Sequence, residues 1–430
     1  MKLPISIGSL ALLFFLSGCE KNSDSVTNRD DYNHFLLSEV NKVKEFSFNE
    51  INFWQAKFDA APNQISYLSK IAANYAVLFE ETGDINYLYK AEDLLLESNE
   101  AFKYSEVGTI RSLARNYITQ HRFKEALQLA EKALKIGEGM RETQKLMFDV
   151  HMELGNYDEA KKCLTFICNQ NDFDCLIRMA KWNDHQGDLD TAITLMEKAT
   201  EKAKMNGEDG LLLWSYSNLG DMYGHAGRIQ EGYDSYLKAL KINPNHSFSL
   251  KGLAWIAFSH EKNTKEALRI ITRISKKHNS PDFYLLKAEI AEYEKDDLLK
   301  ESSMKGYFKM LEQNNYGVMY NKYNALLYAD NKDSAQKALL IAEEEIKNRP
   351  TPDSYDLLAW AYYNLGDTKK AFEIVQKHVA DKSFEPELNY HVATIYKANN
   401  LKNKIQPIKE DLKASIFELG PNMADKIEDL

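Results

Sequence analysis

The chain has 430 residues, of which 44% are hydrophobic and 27% are charged, with 9 prolines and 19 glycines. This composition excludes an intrinsically disordered protein, which would hold fewer apolar residues. Lysine and arginine number 54 against 64 aspartate and glutamate residues, which gives a formal net charge of −10. Nucleic acid is therefore not an expected partner, because binding to phosphate backbones calls for a basic surface.

Residues 1–18 predict a cleaved signal peptide. Lys2 provides a positive start, and an apolar run follows from Ile5 to Leu16, which is too short to span a bilayer as a helix. The run ends in Leu-Ser-Gly-Cys, with the cysteine at position 19, and this ending resembles the lipoprotein signal of bacteria. The resemblance implies that Cys19 carries acyl chains such as palmitate after cleavage and anchors the chain in a membrane. The alternative is an ordinary secretory peptide with a coincidental cysteine.

Residues 19–31 are polar and charged, and they predict a flexible tether between the lipid and the folded body. Glu20 follows the cysteine, where aspartate is the inner-membrane retention residue in some bacteria, so the outer membrane is favoured. The acid-rich tether also loosely resembles the export signals of Bacteroidetes surface lipoproteins. The choice between the periplasmic and the surface face stays open.

The segment 32–65 predicts an N-terminal helical hairpin, which Pro62 ends. Between residues 66 and 412 one pattern then recurs ten times, with spacings of 32 to 40 residues between equivalent positions. A period near 34 residues is typical of helix–turn–helix repeats that stack into a solenoid with a long concave surface. The residues at the eighth place of the ten units are Ala76, Ala114, Phe148, Ala180, Gly220, Trp255, Ala288, Leu326, Ala359 and Ala393.

The unit at 213–245 shows the pattern most clearly. Its first helix carries Gly220 on a face with Leu and Tyr residues, Gly227 ends that helix, and Pro244 ends the second. This unit resembles the tetratricopeptide repeat, and the other units match it to varying degrees. The resemblance implies an all-α fold: a right-handed superhelical solenoid of about ten to eleven repeats over 66–412, closed by a C-terminal capping segment at 413–430.

Three further cysteines, Cys163, Cys168 and Cys175, have a spacing outside the common zinc patterns. An oxidising envelope would permit a disulfide, for which Cys168 and Cys175 are the better pair. The favoured expectation is that the three are small apolar packing residues.

The family resemblance implies a ligand groove lined by the first helices. Aromatic, Asn and Asp side chains at these places suit an extended peptide or a glycan, although each could instead pack between repeats. The Lys/Asn set that grips a terminal carboxylate is matched only at Lys70 and Asn74, so that ligand is disfavoured. The groove candidates are Trp214, Asn218, Asp221, Tyr320, Tyr323, Asn324, Asp353, Asp356, Trp360, Tyr363, Asn364 and Tyr390.

His185, His225 and His260 occupy the thirteenth place of three consecutive units. Imidazoles bind metals, and they titrate near neutral pH. Packed helices nevertheless lie about 8–10 Å apart, which spreads these rings beyond the reach of one zinc ion. We therefore predict no metal site and expect solvent-facing histidines near helix C-termini.

Enzyme motifs such as a phosphate-binding loop, G-x-S-x-G or H-E-x-x-H do not occur in the sequence. We expect neither catalysis nor a cofactor. The sequence favours a membrane-anchored tetratricopeptide scaffold that binds protein partners through its concave groove in the bacterial cell envelope, at the outer membrane. One alternative is a surface lipoprotein that binds a solute or glycan for an outer-membrane transporter, and a second is metal handling.

Overall fold

The computed structural model describes residues 25–168, 172–331 and 334–430, and the regular secondary structure of these ranges is helical throughout. The predicted signal peptide and Cys19 lie outside the described residues. The helices are α1 Arg29–Leu36, α2 Lys42–Ala60, α3 Ser66–Thr82, α4 Ile85–Ala101, α5 Val107–Thr119, α6 Phe123–Ile136, α7 Met140–Glu153, α8 Tyr157–Ile167, α9 Phe173–His185, α10 Leu189–Asn206, α11 Asp209–His225, α12 Ile229–Ile242, α13 Ser247–Trp255, α14 Thr264–Ile274, α15 Asp282–Glu294, α16 Asp297–Gln313, α17 Asn321–Ala329, α18 Ala335–Asn348, α19 Pro352–Asn364, α20 Thr368–Ile374, α21 Pro386–Ala398, α22 Lys402–Ala414, α23 Ile416–Leu419 and α24 Met423–Glu428.

Two of these helices continue as a π-helical turn, α13 through Ile256–His260 and α20 through Val375–Val379. Among the helices of the described ranges, none combines the length and the apolar character that crossing a membrane requires.

Helices α3 to α22 form ten consecutive packed pairs, from α3/α4 to α21/α22. Each of the ten eighth-place residues of the sequence pattern lies in the first helix of its pair. The prediction of an all-α repeat array is therefore confirmed, with one helix pair for each sequence period.

The pair α11/α12 shows why the small residues recur. A Cβ atom at Gly220 would lie 2.5 Å from Cε1 of Tyr236, and one at Gly252 in the next pair would lie 2.4 Å from Cε2 of the same ring. The tyrosine ring is thus inserted between two glycines of neighbouring first helices, where it is 5% exposed. The glycines allow the tyrosine ring to approach the helix backbones closely, and the ring fills the space between them. This packing joins one helix pair to the next.

The array winds far enough for its successive turns to touch. The backbone N–H of Asn279 donates to the carbonyl of Thr82 at 2.6 Å, at the junction of the sixth and seventh pairs. Three pairs later, the turn at Gly187 contacts the ring of Phe384, at the junction of the ninth and tenth pairs. The first and the fourth pairs thus each contact the junction between the fifth and sixth pairs after them, and contacts of this kind define the pitch of the superhelix.

The two N-terminal helices contact different parts of the superhelix. Tyr32 is completely buried, and α1 packs on α12 and α14, whereas α2 packs on α3. The predicted hairpin at 32–65 is therefore replaced by two helices with different partners. The described end of the predicted tether is held as well, because the amides of Val26 and Thr27 donate to the Glu261 carboxylate at 2.8 and 2.6 Å.

Cys168 and Cys175 form a disulfide between the end of α8 and the start of α9. The expectation of unpaired packing residues is wrong for these two cysteines, since their Cα atoms lie 5.0 Å apart, within bonding range. Cys163 is a buried free thiol that packs in the apolar core of the α5–α8 region, as expected.

Candidate functional site

Three adjoining cavities of about 500, 510 and 630 Å³ follow one another along the first helices, from α7 to α21. The first two share Asp221 and His225, and the second and third share Trp255 and Glu289. Their lining comes mainly from the first helices of successive pairs, which is the surface that the repeat pattern makes concave. We call these three adjoining cavities together the channel.

The wall of the channel at α9 and α11 offers an exposed aromatic ring beside charges. Trp214 is 40% exposed and lines this part together with Asn218 and Asp221. Arg178 lines it too, and its Nη2 lies 2.6 Å from an Asp149 carboxylate oxygen. This part of the wall therefore offers the apolar face of an indole ring and, beside it, an ion pair whose charged groups can form hydrogen bonds with a ligand.

At the other end of the channel, Trp360 stacks with two other rings. Its ring centroid lies 5.0 Å from that of Tyr363 and 3.9 Å from that of His391, with interplanar angles of 18° and 17°. The indole N–H donates to Asp330 at 3.2 Å. These contacts hold the Trp360 ring in one orientation at the cavity wall, beside Asn364 and Tyr390.

A buried pair of ionisable groups lies beneath this stack. His391 Nδ1 lies 2.7 Å from Asp356 Oδ2, and both side chains are almost completely buried. Burial lowers the pKa of His391, but the adjacent Asp356 carboxylate outweighs burial, so that the pKa is raised above its ordinary value. Asp356 Oδ1 has no hydrogen-bond partner. Asp356 thus supports the wall and does not present itself to a ligand.

The structure places the twelve groove candidates in different surroundings. Trp214, Asn218, Asp221, Tyr323, Trp360, Asn364 and Tyr390 line the channel. Tyr363 supports Trp360 by stacking, and Asp353 is half-buried at the start of α19. Tyr320 and Asn324 instead line a separate cavity beside the α16–α17 loop. The reason is that Tyr320 packs on Tyr307 and Tyr316, while Asn324 accepts a hydrogen bond from the Tyr307 hydroxyl at 2.9 Å.

The three candidate histidines have separate surroundings. The ring of His185 lies 4.0 Å from that of Tyr157, His225 lies between Asp221 and Glu418 at 3.8 and 3.9 Å, and the side chain of His260 is exposed. Within the described part of the chain, no group of three or more His, Cys, Asp or Glu side chains is placed to hold a metal ion.

Acidic side chains dominate the channel: its lining contains ten carboxylates and five lysine or arginine side chains. Burial, followed by the neighbouring Glu292, raises the pKa of Glu289 to about 8. Burial and the same acidic surroundings also raise the pKa of Asp184 and of Glu385. The channel therefore disfavours further negative charge and favours cationic groups.

Several residues line the channel that are not among the candidates predicted from the sequence. Glu289 and Lys322 lie on first helices, so repeat register could have located them, and Lys322 Nζ pairs with Glu387 at 2.9 Å. Phe417 and Glu418 also line the channel, although they belong to the C-terminal segment. No repeat position identifies them, because they follow the last pair.

Comparison with known protein families finds two tetratricopeptide repeat models. One matches residues 117–166, and the other matches residues 215–246 and 352–377. These segments correspond to the stretch from α5 to α8, to α11/α12 and to α19/α20. Neither is an enzyme family. The curated proteins contain no significant match to the sequence.

Solved structures of similar shape include a human IFIT1 dimer with PPP-AAAA, with 12% identity, 73% of this chain and 71% of that chain covered, and a TM-score of 0.48. Yeast Tom70 has 14% identity, 88% and 98% coverage, and a TM-score of 0.40. PilF of Pseudomonas aeruginosa has 14% identity, 51% and 96% coverage, and a TM-score of 0.36. At these scores the similarities say nothing about ligands. The ten packed pairs and the matched segments together establish that the chain contains tetratricopeptide repeats.

Proposed function

We propose that this protein is a non-catalytic scaffold that holds a segment of a partner protein in the channel. The observation that carries the proposal is the succession of three adjoining cavities along the first helices, with Trp214 exposed at one end and Trp360 fixed at the other. Such a surface suits an extended or helical segment, which gains affinity from aromatic contacts and specificity from charges.

The charge of the channel indicates the chemistry of the partner segment. Carboxylates outnumber basic groups two to one in the lining, so a segment carrying Lys or Arg side chains would meet complementary potential. Complementary charge increases the association rate and excludes acidic competitors. The bound segment is accordingly expected to be basic.

We propose that the scaffold acts at the bacterial cell envelope, anchored through a lipid on Cys19. The sequence Leu-Ser-Gly-Cys after an apolar run supports this placement. Replacing Cys19 with Ala is expected to release the protein from membranes into the soluble fraction. Unchanged sedimentation of the C19A protein with membranes would contradict the anchor.

Affinity capture with the membrane-anchored protein tests the scaffold function. A protein partner should be recovered with the natural chain, be lost with Trp214→Ala, and be retained with Phe53→Ala. Phe53 is the matched control because it is an aromatic residue of similar exposure, 50%, on α2 outside the channel. Equal recovery with both variants would place the contact elsewhere. Recovery of no protein, with a glycan raising the melting temperature instead, would support the solute-binding alternative.

A further inference from the structure

The chain's own C-terminal segment lies in the middle of the channel. After α22 ends at Ala414, the backbone turns back, and the short helix α23 packs on α11 and on the π-helical turn after α13. The segment then reaches α15, where Asn422 Nδ2 donates to the carbonyl of Glu289 at 2.8 Å. Residues 415–422 thus cross three first helices of the channel wall.

Phe417 anchors this segment in a position that a glycine provides. A Cβ atom at Gly224 would lie 2.7 Å from Cε1 of the Phe417 ring, closer than two carbon atoms can approach. The seat for the ring exists because α11 carries glycine there. Gly224 lies within α11, and glycine in a helix interior destabilises the helix by about 1 kcal/mol relative to alanine. The contact with Phe417 offsets this loss of helix stability.

Two side chains of α13 and its π-helical turn hold the backbone of the same residue. The indole Nε1 of Trp255 and the hydroxyl of Ser259 both donate to the carbonyl oxygen of Phe417, at 3.0 and 2.6 Å. A groove recognises one residue of a bound peptide in this way, with a pocket for its side chain and hydrogen bonds to its backbone carbonyl. Here the peptide is part of the same chain.

The electrostatic surroundings of the segment are unfavourable to an ionised carboxylate. Glu418 lies 3.9 Å from His225 and also faces Asp184, Asp221 and Glu385. Glu289 lies beneath Gly420, where a Cβ would come within 2.6 Å of its carboxyl oxygen. Buried like charges make the docked segment easier to displace than a packed core.

Burial along the segment is uneven, since residues 415–419 are only partly buried whereas Gly420 and Pro421 are buried. Phe417 and the other residues of α23 are only partly buried, whereas Ile427 of α24 is 1% exposed and tied to the end of the array by α22. Lys409 and Lys413 of α22 both pair with Glu428, at 3.3 and 2.8 Å. Residues 415–422 thus form a short segment between α22 and α24, and such a segment can open locally without unfolding of the array.

We propose that residues 415–422 form a latch, a stretch of the chain that occupies the channel and that a partner segment must displace. This inference rests on the proposed function of the channel. The displacing segment would carry an aromatic side chain that replaces Phe417 in the Gly224 seat, and the affinity measured for it would be reduced by the small fraction of molecules in which the latch is open.

Hydrogen–deuterium exchange of the full chain tests whether the latch can open. The amides of Glu418, Leu419 and Gly420 bond within α23, and a helix of this length has no stability of its own, so their protection reports docking. Gly224→Ala should lower that protection about tenfold or more, because its Cβ occupies the seat, while the protection of α11 and α13 is retained. Gly210→Ala is the matched control, since a Cβ there meets nothing within 4 Å.

A labelled peptide of residues 411–424 tests the seat in trans and does not depend on knowing the natural partner. Full-length Phe417→Ala, with its own latch weakened and Gly224 intact, should bind the peptide about tenfold more tightly than the natural chain. Gly224→Ala should not bind it, and a peptide with Phe417 replaced by Ala should bind neither protein. Should Phe417→Ala fail to fold, Ser259→Ala removes one of the two donors to Phe417 and should show the same direction.

The outcomes separate the latch from the scaffold function. Loss of protection throughout α11–α15 in Gly224→Ala, or unchanged protection of α23, would overturn the latch, since residues 415–422 would then be a fixed structural cap. Equal capture of a partner by the natural chain and by Phe417→Ala would overturn the latch while leaving the scaffold standing. Peptide binding by Phe417→Ala without any captured partner would support the latch and contradict the scaffold.

Discussion

Trp255 donates its indole N–H to the backbone oxygen of Phe417 at 3.0 Å, across 162 positions of sequence. Trp255 occupies the eighth place of its repeat unit, where most of the other units carry alanine or glycine. A large residue at this place projects into the channel, where it lines two of the three cavities. The departure from the repeat pattern therefore has a physical reason outside the repeat, namely contact with the C-terminal segment.

Acid pH is expected to tighten docking of the latch. Burial, with the acidic neighbours, raises the pKa of Glu418 to about 7 and that of Glu289 to about 8, from an ordinary value near 4.5. Glu418 belongs to the docked segment and holds its proton more firmly when docked, so docking is favoured below about pH 4.5 and weakens as the pH rises through about 7. Burial lowers the pKa of His225, but Glu418 outweighs burial and raises it, which acts in the same direction.

Exchange protection of α23, corrected for the intrinsic rate at each pH, measures this effect. It should fall about tenfold or more between pH 5 and pH 8. Glu418→Gln should keep the segment docked and flatten the profile, because the amide cannot ionise. Protection that stays constant or increases toward pH 8 would contradict the role of these carboxyl groups.

The His391–Asp356 pair is expected to behave as one buried unit. Replacing either residue with Leu leaves the other buried without its partner, which should lower the free energy of unfolding by about 3–5 kcal/mol. The double replacement with Leu at both positions should recover much of that loss, since no buried charge remains. Because the pKa of His391 is raised, the stability that it contributes is present below about pH 6.5 and is lost as the pH rises through the raised value.

Urea unfolding of the two single variants and the double variant, run as a double-mutant cycle, checks this prediction. Trp360 stacks on His391 and provides a fluorescent signal close to the pair. Additive losses in the double variant would show that the two residues do not act together.

The turns between paired helices provide a test of backbone conformation alone. Gly227 has φ +71 in the turn after α11, and a Cβ there meets nothing within 4 Å. Gly227→Ala should therefore lower the free energy of unfolding by about 1 kcal/mol, because alanine is strained at this positive φ. Lys262 takes φ 57 at the corresponding turn after α13, so Lys262→Gly should stabilise by a similar amount. Thermal unfolding checks both changes. The melting temperature should fall for Gly227→Ala and rise for Lys262→Gly, and shifts of the same sign would contradict this explanation.

The sequence predicted the features that repeat and missed those that occur once. Ten eighth-place residues located all ten first helices, because each pair solves the same packing problem in the same register. Register also placed Trp214 and Asp221 on the channel wall. It misplaced Tyr320, since α17 begins only at Asn321 and the tyrosine ring joins an aromatic cluster behind the wall.

Contacts between distant parts of the chain could not be predicted from the period. The Gly187–Phe384 contact depends on the accumulated twist of the superhelix, which many small interface angles determine together. The latch and α1 have no repeat pattern to identify their partners. The features that distinguish this protein from a simple repeat array therefore lie in the segments before and after the repeats.

The attachment of α1 is expected to depend on one buried carboxylate. Glu266 is 1% exposed, accepts from the Tyr32 hydroxyl at 2.6 Å, and pairs with Arg269 and Arg29. Burial raises the pKa of Glu266, but these donors outweigh burial and lower it below the ordinary value. The carboxylate is thus stabilised as an anion, and its contribution is present above about pH 4.5 and is lost as the pH falls through the lowered pKa.

Tyr32→Phe removes one donor from this carboxylate and keeps the ring in place. It should lower the free energy of unfolding of the α1 region by about 1–3 kcal/mol and expose the segment 25–36 to proteolysis. Glu266→Gln should have a larger effect, because it leaves Arg29 and Arg269 without a countercharge. Tyr67→Phe on α3, whose hydroxyl lies outside this cluster, is the control. Limited proteolysis followed by mass measurement locates the cleavage. If cleavage within the array occurred earlier than cleavage in the segment 25–36, α1 would be part of the array's core and would not open separately from it.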